Sequence, residues 1–133
     1  MELPPALLQF LGSLAAILVL AAIAWGLKLG PERKLANEED TRAAAAEAVD
    51  GFVATDIARA RDGRAALLAD HGGRILLLRS HGTHMAGRVL TREASAQITD
   101  GALLVDTGER RYGAVRLELD DPQAWVKRIE AIG

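Results

Sequence analysis

Between Leu3 and Leu27 the chain carries no charged residue of either sign, and all 16 of its Lys and Arg residues lie at or after Lys28. The centre of this stretch reads FLGSLAAILVLAAIAWGL. As a helix, Leu7 to Leu27 would rise about 31 Å, close to the hydrocarbon thickness of a bilayer, with its backbone polar groups satisfied internally. Trp25 falls where an interfacial aromatic belongs. A cleaved signal peptide would need a positive n-region and a small-residue cleavage site, whereas the apolar run here follows Met1, Glu2, Leu3, Pro4 and Pro5. The expectation is a single transmembrane anchor over residues 1–29.

Lys28, Arg33 and Lys34 flank the C-terminal end of the span, with Glu32 among them, and no Lys or Arg flanks the other end. The positive-inside rule then expects the C-terminal part in the cytoplasm, so that in a bacterium the anchor would sit in the inner membrane.

Of the 133 residues, about 100 remain beyond the anchor, enough for one compact core. The 16 Lys+Arg and 18 Asp+Glu nearly cancel, and the aromatics are only Trp25, Trp125, Tyr112, Phe10 and Phe52. A basic, aromatic-studded nucleic-acid surface is therefore not expected. The absence of cysteine excludes a disulfide framework, a thiolate nucleophile and a Cys-based metal site.

Residues 30–51 read as a juxtamembrane linker. Gly30-Pro31 ends the anchor, and NEEDTRAAAAEAVD over 37–50 reads as a short helix with Asn37 as N-cap, acids in its first turn and Gly51 closing it. Its Ala-rich face buries little area alone, which leaves its packing open.

From Phe52 the periodicity changes. Turn signals at Asp62-Gly63, Gly72-Gly73, Gly82, Asp100-Gly101 and Thr107-Gly108 separate strand-like runs at 53–60, 64–69, 74–80, 83–90, 94–99, 102–106 and 111–119. Val115, Leu117 and Leu119 alternate with Arg116 and Glu118, as on a half-buried strand. Asp121 then suits an N-cap and Pro122 a first helical position, with Trp125, Ile129 and Ile132 on one stripe. That stripe has to cover the preceding sheet. The fold class expected is α+β: transmembrane helix, connector helix, about seven antiparallel strands and an amphipathic C-terminal helix. Over residues 52–133 this order of elements resembles the PH-like (pleckstrin-homology-like) superfold, a resemblance of architecture that implies a barrel or sandwich and no particular role.

Two segments resemble protease motifs. His81-Gly82-Thr83-His84-Met85-Ala86-Gly87 resembles the histidine motif of subtilisin-like proteases, and Leu104-Val105-Asp106-Thr107-Gly108 their aspartate motif. In that family the Asp motif precedes the His motif, and a Gly-Thr-Ser nucleophile segment is required. Here Asp106 follows His81, and neither Ser80 nor Ser95 has that context. Ala102 to Gly108 also resembles the Asp-Thr-Gly loop of retropepsin-like aspartic proteases, whose chemistry pairs two carboxylates across a dimer. Glu109-Arg110-Arg111 follows in place of small residues, and the 25 residues after Gly108 are too few for the rest of that fold. A strand entering a hairpin turn accounts for the segment more simply.

His81 and His84 form an H-x-x-H pair, with no carboxylate between Asp70 and Glu93 to complete a metal shell, so that a third ligand would have to be His71. The sequence thus assigns no catalytic, cofactor-binding or metal-ligating residue and implies no cofactor. Arginines 59, 61, 64, 74, 79 and 88 recur through the first four strands, interleaved with acids at 56, 62 and 70. Small residues Gly12, Ser13, Ala15, Ala16, Ala21, Ala22 and Ala24 would let another helix approach the anchor, with Gly12 and Ala16 as a small-xxx-small pair. The functional expectation is a non-enzymatic accessory, structural or assembly subunit whose β domain docks on a membrane protein complex, with the lipid bilayer as its other partner and no nucleic acid. The alternatives are an anchored hydrolase using Asp106 and a lipid-surface binding module.

Overall fold

The computed structural model describes residues 4–28 and 34–132, with residues 26–28 as backbone only. The chain divides after Pro31 into two compact units. The first holds one helix, α1 (Pro5–Lys28). From Pro5 to Trp25 it is long and apolar enough to cross a membrane, and none of it is buried by the rest of the chain. Such a helix near an N-terminus is a membrane span or a signal sequence. Leu3, the Gly30-Pro31 stop, Glu32, Arg33 and the Lys28 side chain lie outside the described residues.

The second unit is α+β. Helix α2 (Glu38–Ala48) comes first, then strands β1 (Ala54–Arg59), β2 (Ala65–Asp70), β3 (Ile75–His81), β4 (His84–Val89), β5 (Ser95–Thr99), β6 (Ala102–Asp106) and β7 (Ala114–Leu117), and finally helix α3 (Pro122–Glu130). Both N-caps are those the sequence predicts, while α2 ends at Ala48 with Val49 as its C-cap rather than running on to Gly51. Asn37 accepts a hydrogen bond from the Asp40 amide at 2.8 Å, and Asp121 accepts one from the Ala124 amide at 3.3 Å with Pro122 in the first turn.

The strands form two antiparallel sheets, β1-β2-β3-β4 and β5-β6-β7, in which each strand pairs with its neighbour in sequence. The meander is broken once, between β4 and β5, and the described residues form no closed barrel. The last strand is shorter than the 111–119 run, because Arg111 to Gly113 form a turn before it. The alternation holds nonetheless: Val115, Leu117 and Leu119 are buried while Arg116 and Glu118 are exposed.

Strands β2 and β3 are buried on both faces. Leu67 and Leu77 point into one core with Leu103, Val105, Leu117, Trp125 and Ile129, which the second sheet and α3 supply. Leu68, Leu76 and Leu78 point into another with Leu35, Ala44, Ala45 and Phe52, which α2 and its flanks supply. Two-sided burial explains why these strands read as continuous apolar runs rather than alternating ones. The helix whose packing the sequence leaves open is therefore the outer layer of the sheet. Its Ala face packs because the sheet yields room: a Cβ on Gly87 would lie 2.6 Å from the Ala48 Cβ and 3.2 Å from Leu78 Cδ2. The C-terminal helix buries Trp125 and Ile129, while Ile132 lies past its end and is half-buried. The Arg128 guanidinium pairs with Asp56 on β1 at 2.9 Å.

The described chain enters the second unit at Lys34 and is held at once. The Leu35 amide donates to the Gly63 carbonyl at 2.7 Å, Arg59 Nη1 donates to the Leu35 carbonyl at 3.1 Å, and the Leu35 side chain is buried. The entry point is thus the β1–β2 turn. Antiparallel order places the β3–β4 turn at the same end of the sheet.

Gly87→Ala should lower stability by about 1–3 kcal/mol through overpacking. Adding Ala48→Gly should recover part of that loss, read from urea denaturation midpoints of the wild type, both single variants and the double variant. At the other end of the sheet, burial of Asp70 opposes its charge, but hydrogen bonds from Arg74 and the Gly72 amide outweigh burial and hold its carboxyl below the usual range. A carboxyl depressed in the fold contributes stability that is present above the unfolded-state value, about 3.9, and lost as pH falls through the folded one. The stability gap between wild type and Asp70→Asn should therefore be constant near neutrality and close as pH drops below about 4. A gap that persists undiminished at low pH would contradict this.

Candidate functional site

Five arginines and one histidine line a cleft at the end of the first sheet that the incoming chain enters. One lobe, about 250 Å³, is lined by Arg64, Arg79, Ser80, Ala114, Val115 and Arg116. The other, about 260 Å³, is lined by Arg79, His81, Ala86, Arg88, Arg111 and Tyr112. Arg79 belongs to both, and no carboxylate lines either.

Strand register brings these side chains together from distant parts of the chain. Arg79 lies opposite Ala65 on β2 and Ala86 on β4, so its neighbours in the sheet are small and leave the guanidinium room. The Ser80 amide donates to the Arg64 carbonyl at 2.7 Å, which holds the start of β2 against the end of β3. Arg116 comes from β7, the edge strand of the second sheet, and Arg111 from the turn before it. That turn is closed by the Gly113 amide donating to the Glu109 carbonyl at 3.0 Å, with Gly113 at φ +75°, a conformation that suits glycine.

Tyr112 is the fixed point of the cleft. Its side chain is buried, and its hydroxyl donates to the Ala86 carbonyl at 2.9 Å, with the Leu77 carbonyl 3.2 Å away. The Arg79 guanidinium donates back to the Tyr112 carbonyl. The guanidinium carbons of Arg79 and Arg88 lie over the ring, 5.3 and 5.1 Å from its centroid. Burial raises the phenol pKa well above its ordinary value, more than the two arginines lower it, so the hydroxyl stays a donor. Arg88 Nε also donates to Glu109 Oε2 at 2.7 Å. Arg111 and Arg116 are exposed and have no ion-pair partner among the described residues.

The arginines seen in the first four strands divide three ways. Arg64, Arg79 and Arg88 join the cleft, Arg59 and Arg61 hold the entering chain and Asp120, and Arg74 pairs with Asp70 while lying 5.3 Å over the Phe52 ring. Missing from that sequence reading are Arg111, Arg116 and Tyr112. Their only signal is that the chain's single tyrosine follows directly on Arg110-Arg111.

The protease-like residues fall elsewhere. Asp106 ends β6 in an exposed position, where its Oδ1 accepts from the Gly108 amide at 2.8 Å and Thr107 Oγ1 accepts from the Glu109 amide at 3.1 Å. The Asp-Thr-Gly segment thus spends its polar atoms on its own turn. Opposite Asp106 in the sheet are Ser95 on one side and Ala114 on the other. His81 and His84 face each other across the two-residue turn of the β3–β4 hairpin, both exposed. Among the described residues no three His, Asp or Glu side chains gather where they could hold a metal ion.

A further cleft of about 410 Å³ lies between the β2–β3 turn and the end of α3, but its carboxylates, Asp56 and Asp70, are engaged by Arg128 and Arg74. In the basic cleft, by contrast, Arg111 and Arg116 keep no ion-pair partner among the described residues. No protein-family model matches the chain, and comparison with curated proteins and with solved structures likewise gave no match.

Tyr112→Phe keeps the ring beneath the two guanidiniums and removes the hydroxyl hydrogen bond. The expected cost is about 1 kcal/mol of stability, with the lining arginines still in place. A urea midpoint unchanged from wild type would show that the hydroxyl does not hold the turn to the sheet.

Proposed function

We propose that this chain is a non-enzymatic, single-pass protein of a bacterial inner membrane, an accessory or assembly subunit whose β domain docks on a larger membrane protein complex from the cytoplasmic side. The observation that carries this reading is the basic cleft. The whole chain has a formal net charge of −2, yet five arginines line one cleft that no carboxylate lines, with Arg88 among them paired to Glu109. Composition alone does not produce such a concentration. Guanidinium groups exposed on a rigid wall suit recognition of anionic groups on a partner.

Anchoring is supported by the length and apolarity of α1, and the cytoplasmic side by Lys28, Arg33 and Lys34 at its C-terminal flank. A short covalent tether keeps the domain in a layer near the bilayer and raises its effective concentration toward membrane partners. Gly12 and Ala16 offer a small-residue face for helix contacts within the bilayer. A PH-like reading of the domain is supported by its four-plus-three strand arrangement and terminal helix, and rests on architecture alone.

Extraction in a mild neutral detergent should recover the chain together with a membrane complex. Replacing both unpaired arginines, Arg111→Glu with Arg116→Glu, should reduce the recovered complex by about tenfold at an unchanged level of the chain itself. Recovery of the complex in full by the double variant would remove the cleft from the docking surface. A monomer with no associated complex in the wild type would overturn the accessory reading altogether.

A further inference from the structure

The cleft also indicates the shape of what fills it. Its two lobes adjoin at Arg79 rather than forming one round pocket, and the basic groups run from Arg64 and Arg116 in one lobe to Arg88 and Arg111 in the other. A single compact anion in one lobe would leave either Arg111 or Arg116, which lie in different lobes, without a partner. One wall, Ala114 to Arg116, belongs to β7, which pairs with β6 alone and is therefore a sheet edge. An edge strand presents unpaired backbone N–H and C=O groups to an extended chain. The aromatics of the domain, Phe52, Tyr112 and Trp125, are all buried, so the cleft has no platform on which bases could stack.

We infer that the occupant of the cleft is an extended acidic segment of a partner protein, which adds to the edge of β7 and sets carboxylates against Arg79, Arg111 and Arg116. This rests on the docking function proposed above and names its partner's chemistry. The pieces fit physically. Side chains of an extended strand alternate sides, so acids at every second position share one face. Guanidinium forks match carboxylates in bidentate geometry. Strand addition supplies backbone hydrogen bonds, and the arginines supply selection for acidic sequences. Because β7 is only four residues long, the charged groups have to provide most of the selectivity, which makes the association sensitive to salt.

The test uses the full chain in neutral detergent micelles and a labelled ten-residue peptide alternating Glu and Val. Binding measured by fluorescence anisotropy at low salt should be at least about tenfold weaker for the Arg111→Glu, Arg116→Glu chain and for a peptide with Gln in place of Glu. Methylation of alternate peptide nitrogens, tried in both registers, should weaken binding in one register by about fivefold or more, as loss of strand hydrogen bonds requires. The milder pair Arg111→Gln and Arg116→Gln, with an unchanged melting temperature, keeps the result free of any folding defect.

Equal binding of the Gln peptide, or binding indifferent to both arginine pairs, would overturn the inference. So would inorganic phosphate or an anionic-lipid nanodisc binding through the same arginines where the Glu peptide does not bind. If the peptide fails while the membrane complex still depends on Arg111 and Arg116, docking stands and the acidic strand falls. If the complex is also indifferent to those arginines, the cleft is no docking site and both fall.

Discussion

The fold depends on two adjacent strands that have to be covered on both faces. Leu67, Leu68, Leu76, Leu77 and Leu78 are fully buried, each contributing about 1.5–3 kcal/mol relative to exposure, and they point alternately to opposite sides of β2 and β3. A four-stranded sheet alone would leave both of those sides wet. The chain resolves this with two separate covers, α2 on one side and the second sheet with α3 on the other. Each cover brings its own constraint. The Ala-rich helix gains packing only by close approach, hence the requirement for Gly87 beneath Ala48. The second sheet brings its own edges and turns.

Those turns create the basic cleft. Where the second sheet meets the end of β3, Tyr112 inserts its ring into the core and hangs its carbonyl over Arg79. One residue thus fills apolar volume, ties the turn between β6 and β7 to the first sheet and positions a guanidinium. Arg88 is drawn to the same ring and to Glu109. Arg111 and Arg116 have no such restraint among the described residues and remain as free positive charge on a wall that is otherwise rigid. Mutual repulsion among several guanidiniums opposes this arrangement, and water screens it only partly inside a cleft. An anionic occupant relieves that repulsion, so binding and local stability favour the same arrangement.

Much of the architecture was legible because it is written locally. The long apolar helix follows from an uninterrupted apolar run, the helix starts from Asn37 and Asp121, the hairpins from glycines that take up positive φ at 63, 73, 82, 101 and 108, and the final strand face from alternation at 115, 117 and 119. The division of seven strands into sheets of four and three was not legible, since the β4–β5 connection, residues 90–94, lacks the glycine signal of the other turns but is as short as a hairpin loop. The role of α2 was hidden for a related reason. A face of Thr41, Ala44 and Ala45 looks too thin to pack until Gly87, far along the chain, lets the end of the helix approach the sheet at Ala48. The cleft was hidden most deeply. Three of its arginines stand among acids in sequence and look like an ordinary wet surface, and only the fold commits Asp62 to an amide of its own turn, sends Asp70 to the opposite end of the sheet and brings Arg111 and Arg116 in from the second sheet.

The same physics separates the cleft from the two protease-like segments. A catalytic carboxylate is useful when its environment perturbs it, by burial, by a second carboxylate or by a histidine that it orients. Asp106 is exposed and bonded to its own turn, so its surroundings are those of a structural Asx residue. His81 is paired in the hairpin with His84 rather than with an acid, and it contributes to the cleft as one more group on a basic wall. A basic wall built on paired strands stabilises an anionic group wherever that group arrives from. The inference of a polypeptide occupant rests on the β7 edge beside this wall, because an edge strand offers backbone groups as well as the charge that a lone anion would need.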